Sequence, residues 1–165
     1  AMAARPECSV AALHRLLRPA FAGWLACVLS AGPAAAVEPV TLELAMAGRA
    51  VPVDLYRPAG PPRGAVVLSH GFTRSRTTLG GHAAALAEAG VVAVTPDLPF
   101  TFDFQANARG LADLVAWLRT GSAHAPAVER VVLVGFSAGG LSSLLAATTP
   151  GVVGYVGLDP FDRTL

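Results

Sequence analysis

The 165-residue sequence predicts an α/β fold: a mostly parallel sheet with helices on both faces, starting with an antiparallel hairpin. Three observations predict it. Four short, Val-rich apolar runs alternate with three Ala/Leu-rich segments of helical length, the pattern of βαβ units whose strands are buried on both faces. Two segments of strand-like alternation flank Ala47-Gly48 ahead of them. Apolar residues make up 53% of the chain and charged residues 14%, which suits a buried core and excludes disorder.

Residues 1–36 read differently from the rest. Arg5, Arg15 and Arg18 precede an apolar run from Ala20 to Ala31, Gly32-Pro33 breaks it, and Ala34 and Ala36 place small residues where a signal peptidase reads. This is the pattern of a secretory signal peptide cleaved after Ala36, so the mature protein is expected to be secreted or periplasmic. The run falls short of the roughly 20 residues that span a bilayer, so no stable membrane insertion is expected after cleavage; the alternative is a retained N-terminal anchor. Cleavage would remove both cysteines, Cys8 and Cys27, leaving none for a disulfide, a zinc thiolate or a nucleophile.

The elements of residues 37–165, one expected domain, follow in order. Val40–Leu44 and Val51–Tyr56 form the hairpin, and Pro58–Pro62 is a turn-rich linker. Ala65–Ser69 is the first buried strand, ended by His70-Gly71. Leu79–Ala89 reads as a helix with Gly90 as its C-cap. Val91–Thr95 is the second strand, ended by Pro96-Asp97. Phe104–Arg119 is an amphipathic helix with Leu111, Leu114, Val115 and Leu118 on one face. Val131–Val134 is the third strand, Ser137–Ala147 a helix stopped by Pro150, and Val152–Leu158 a fourth strand of buried type, ended by Asp159-Pro160. In such sheets chemistry collects outside the carboxyl ends of the strands.

One of those ends carries Gly135-Phe136-Ser137-Ala138-Gly139, between a Val-rich strand and an Ala/Leu-rich helix. A serine on so sharp a turn is lifted clear of the sheet, and the residues two before and two after it pass close to neighbouring backbone, where only glycine fits. Ser137 is thus a candidate nucleophile at a helix N-terminus, with Gly135 and Gly139 as structural glycines of the elbow. The bland alternative is a Gly-rich strand-to-helix turn with Ser137 as N-cap. His70-Gly71-Phe72 ends the first buried strand, where an acyl-transfer site of this kind takes its second oxyanion donor. The expected donors are the backbone N–H groups of Phe72 and Ala138. His70 lies on the wrong loop for a general base and reads as a brace of its own loop. Phe72, Phe100, Phe102 and Phe136 hint at an apolar acyl pocket, or at plain packing.

Val66-Val67-Leu68-Ser69-His70-Gly71-Phe72, the Gly-Phe-Ser-Ala-Gly elbow and Gly157-Leu158-Asp159-Pro160 together resemble the α/β-hydrolase superfamily, and more narrowly its chlorophyllase, platelet-activating-factor acetylhydrolase and dienelactone-hydrolase-like branch. The resemblance runs from about Val40 to the end. It implies a serine hydrolase that forms an acyl-enzyme on small-molecule esters and needs no cofactor. It also implies Asp159 as the catalytic acid, since that branch places the acid after the strand following the elbow. Asp162 is a weaker contender. Asp97 reads as a turn residue, and Asp103 and Asp113 as solvated or capping carboxylates.

The resemblance further implies the chain order serine, acid, histidine. His14, His70, His82 and His124 all precede Ser137, so the base is expected in a missing C-terminal part, and residues 37–165 read as the N-terminal part of an α/β-hydrolase domain. Two further readings follow: a catalytically inactive fragment or binding module, or a peptidase or C–C hydrolase on the same scaffold. The net charge is +1 with no basic run, so no nucleic-acid partner is expected. No metal-ligand cluster stands out, and the glycines around Ser137 lack the lysine that a phosphate-binding loop needs.

Overall fold

A computed structural model describes residues 37–161; the expected signal peptide, His14 and Asp162 lie outside them. Val40–Met46 (β1) and Arg49–Tyr56 (β2) form the hairpin around Ala47-Gly48, both at positive φ. Ala65–Ser69 (β3) leads through a loop and a 3₁₀ turn at Arg76–Leu79 into Gly80–Glu88 (α1). Val92–Pro96 (β4), Phe104–Thr120 (α2), Val131–Phe136 (β5), Ala138–Leu145 (α3) and Val152–Leu158 (β6) complete the order. The strands lie side by side as β1-β2-β4-β3-β5-β6. β2 pairs antiparallel with both of its neighbours, and the β4-β3-β5-β6 ladders are parallel.

The period-2 geometry of the strands divides the apolar runs between two layers. Val67, Val92, Val94, Val131 and Leu133 face α2, whose Leu111, Leu114, Val115 and Leu118 are buried as the sequence spacing requires, and Ala146 at the end of α3 joins them. Val66, Leu68 and Ala93 face the other way, onto Leu79 at the end of the 3₁₀ turn and Ala83 and Ala87 of α1. Asp103 caps α2 by accepting from Ala106 N–H at 2.8 Å, and Asp113 accepts from Ala47 N–H in the hairpin turn at 2.8 Å. Asp103 thus has the expected capping role, whereas Asp113, inside α2, ties that helix to the hairpin turn instead.

One expectation is corrected. β6 has the composition of a strand buried on both faces, yet Val153 is 52% and Val156 46% exposed. β6 is last in the strand order, pairs with β5 alone, and α1 sits over the β4 side of its layer, so among the described residues nothing covers β6 there.

Candidate active site

The carboxyl ends of β3, β5 and β6 meet at Ser137. β5 ends at Phe136 and α3 begins at Ala138, so the whole reversal falls on one residue: Ser137 has φ 50° and ψ −118°. Few residues other than glycine take such angles, and they persist only where the surroundings over-determine them. Here the surroundings are backbone. A Cβ on Gly135 would stand 2.6 Å from Gly140 Cα, and one on Gly139 would stand 2.7 Å from the Ser69 carbonyl carbon and collide with the Ser69 and His70 carbonyl oxygens. The start of α3 is thus pressed against the end of β3, and both elbow glycines are required by close approach.

The loop after β3 passes directly beside the serine: a Cβ on Gly71 would lie 3.2 Å from Ser137 Cβ. Phe72 N–H and Ala138 N–H have no acceptor among the described residues. Both residues line one cleft of about 220 Å³ together with His70, Leu98, Phe100 and Asn107. Asn107 shapes the cleft from α2, accepting from Phe100 N–H at 3.1 Å and donating to Phe100 O at 2.7 Å.

His70 braces its own loop. Leu98 N–H donates to Nε2 at 2.9 Å, which leaves Nδ1 as the protonated nitrogen, donating to Gly71 O at 2.7 Å. Both ring nitrogens are occupied, so the ring has no free position for proton transfer with Ser137. His82 and His124 are exposed, on α1 and on the loop after α2. None of the three described histidines is set up as the base of a serine nucleophile.

Asp159 is held close to the elbow in the chain that leaves β6. Ser137 N–H donates to Leu158 O at 3.1 Å, and Phe161 N–H donates to Ser137 O at 2.9 Å, so the Leu158–Phe161 turn is pinned at both ends to the backbone of the serine. Pro160 packs where a Cβ on Gly140 would come within 2.8 Å. Asp159 itself takes φ 46°, one of four non-glycine residues at positive φ among those described. Its carboxylate is exposed and makes no ion pair among the described residues.

Two readings from sequence need revision. Asp97 is more than a turn residue: it accepts from Arg76 N–H at 2.7 Å and pairs with Arg76 Nη1 at 3.0 Å, while Arg76 Nε reaches Asp54 at 2.9 Å. The hydrogen bond to Asp54 raises the pKa of the guanidinium above its ordinary value. Asp54 is buried and also accepts from Thr41 Oγ1 at 2.6 Å. Sequence reasoning missed Arg76 and Asp54; the available signal was a carboxylate between Val53 and Leu55 in an apolar strand. The aromatic group also differs. Phe72 packs against Phe102, Phe104 and Phe161 at centroid distances of 5.6, 5.9 and 5.7 Å. Phe136 instead lies against Gly71, and Phe100 stacks under Arg49. Among the described residues no three His, Asp or Glu side chains converge as metal ligands, and no helix is long and apolar enough to cross a membrane.

A model of the Alpha/beta hydrolase family matches residues 66–165. No curated protein matches the sequence. Among solved structures, a dienelactone hydrolase from Anabaena variabilis is similar at 24% identity and a TM-score of 0.60, over 74% of this chain and 64% of that one. An alpha/beta hydrolase from Penicillium sp. sh18 is similar at 21% identity and a TM-score of 0.66, over 74% of this chain and 46% of that one. The esterase Est22 is similar at 17% identity and a TM-score of 0.65, over 79% of this chain and 46% of that one. The chain therefore spans about half to two-thirds of the length of these structures, and at such identities the likeness is one of fold.

Proposed function

The chain belongs to the alpha/beta hydrolase family, and from that premise we propose that it is the nucleophile-bearing part of an exported serine hydrolase acting on carboxylic esters. The observation that carries the reading is the backbone of Ser137. A serine at φ 50° and ψ −118°, sealed by backbone on both sides and beside a loop with a free N–H, is costly to hold, and its side chain makes no capping hydrogen bond to α3. Ser137 Oγ attacks the ester carbonyl carbon, and the carbonyl π electrons move onto oxygen. That oxyanion is received by Phe72 N–H and Ala138 N–H, each such donor being worth about 2.7–4 kcal/mol of barrier. Collapse expels the alcohol and leaves an acyl-serine, and water repeats the sequence to release the acid.

The serine proton must go to a base and then to the leaving alcohol. This reading gives that role to a histidine outside residues 37–161, oriented by Asp159. Export rests on the N-terminal pattern of Arg5 to Ala36 alone.

The test is turnover of a panel of p-nitrophenyl esters by the full gene product and by its Ser137→Ala variant. Hydrolysis that falls by at least about a thousandfold in the variant is expected. A folded full-length protein that hydrolyses no ester sinks the reading. A second reading, a binding module without turnover, is favoured by the occupied ring of His70; it predicts that same absence of hydrolysis.

A further inference from the structure

We propose that Arg76 is the positioning residue of the oxyanion loop: its clamp on Asp54 and Asp97 fixes the far end of that loop and so aims Phe72 N–H. The inference rests on the proposed acyl-transfer site. The loop runs from Gly71 to Ser75; the Phe72 ring packs on Phe102, Phe104 and Phe161, but few hydrogen bonds inside the loop hold its backbone. Its internal bonds are Arg74 N–H to Gly71 O at 3.4 Å and the Thr73 hydroxyl to Phe72 O at 2.7 Å. Thr73, immediately after the donor, sits at φ 53°. A β-branched residue at positive φ is strained, and the strain must be met by the anchors at either end.

The near anchor is His70 and the far anchor is Arg76. Arg76 is fixed three times: by its own N–H to Asp97 Oδ1 (2.7 Å), by Nη1 to Asp97 Oδ2 (3.0 Å) and by Nε to Asp54 Oδ1 (2.9 Å). Both carboxylates stand on the sheet. Asp54 is in β2 and accepts from Thr41 of β1; Asp97 follows β4, and its N–H donates to Pro52 O at 3.0 Å. The two anchors also share a support, since Leu98 N–H, which holds His70, is next in the chain to Asp97. A planar fork is required to reach both carboxylates, and a lysine ammonium cannot reproduce it.

Because Asp54 is buried, deleting the cation outright leaves an uncompensated charge that can unfold the protein. Arg76→Lys is therefore the primary variant, keeping the charge and losing one arm; Asp54→Asn with Arg76→Gln is the charge-balanced second variant. The first measurement is amide hydrogen exchange of the full chain. Exchange at Arg74, Arg76 and Thr78, the amides here that have acceptors, is expected to rise about tenfold or more in both variants, with α2 and β5 unchanged. The second is ester kinetics: kcat is expected to fall about tenfold with KM within about twofold, because oxyanion donors act on the transition state. Loop exchange equal to wild type, or exchange rising uniformly along the chain, overturns the proposal. If the wild-type protein hydrolyses no ester, the functional reading fails and the exchange pattern alone decides the clamp.

Discussion

Gly139→Ala is the substitution whose outcome the structure decides against simple helix propensity. Gly139 is the second residue of α3, and in an unconstrained helix alanine is favoured over glycine by about 1 kcal/mol. At this place the new Cβ would stand 2.7 Å from the Ser69 carbonyl carbon and closer still to two carbonyl oxygens. These are backbone atoms at the end of a central strand and cannot swing aside. The start of α3 would have to retreat on the order of 1 Å, and overpacking of this kind costs about 1–3 kcal/mol. With rigid backbone on the other side the upper end applies, for a net loss of about 2 kcal/mol after the propensity gain. For a domain of this size that lowers the thermal midpoint by about 4–8 °C. Gly81→Ala in α1 is the matched control, because a Cβ there meets nothing within 4 Å. It should gain about 0.5 kcal/mol. Urea unfolding of both variants beside wild type reads the difference. If Gly139→Ala is as stable as Gly81→Ala, the close approach of α3 to β3 is wrong, and with it the steric account of the elbow.

Other outcomes follow from the same geometry. Ser137→Gly should abolish ester turnover yet stabilise the fold by about 1 kcal/mol, since glycine reaches φ 50° and ψ −118° without strain and part of the gain is offset by unfolded-state entropy; a destabilised variant in urea unfolding would contradict this. Asp103→Ala removes the α2 cap and should cost about 1 kcal/mol, with fraying confined to the first turn in hydrogen exchange. Burial first, and then the charge of Asp54, raises the Tyr56 pKa above 10.0. The folded state therefore keeps this proton longer than the unfolded chain, so the contribution is complete below pH 10 and is lost as pH rises through the folded pKa. Tyr56→Phe should flatten the alkaline decline in stability, with the remainder coming from Tyr155, also raised by burial; an unchanged decline would count against the buried phenol.

The fold was legible because its strands are short, Val-rich and bounded by Gly, Pro or Asp, and because α2 repeats its apolar residues at helical spacing. Ala65–Ser69 and Val152–Leu158 are read to the residue. The exposure of β6 was not legible, since the same Val-Val-Gly-Tyr-Val composition suits a central strand and an edge, and only pairing order tells them apart. The elbow was legible because its glycines answer to a local steric need. The Arg76 clamp was not, because it joins residues from within β2, the segment after β3 and the end of β4, and no sequence spacing encodes a meeting of three segments so far apart. The aromatic group moved for a related reason: Phe161 reaches Phe72 only because the turn after β6 is hydrogen-bonded back to Ser137.

The central claim is that Ser137 is a nucleophile. The most direct measurement is reaction of the folded full-length protein with a fluorophosphonate, followed by peptide mapping of the adduct. The account predicts one adduct, on Ser137, absent from Ser137→Ala and from heat-unfolded protein. An unmodified Ser137, or an adduct on another serine, in a protein shown to be folded would contradict it.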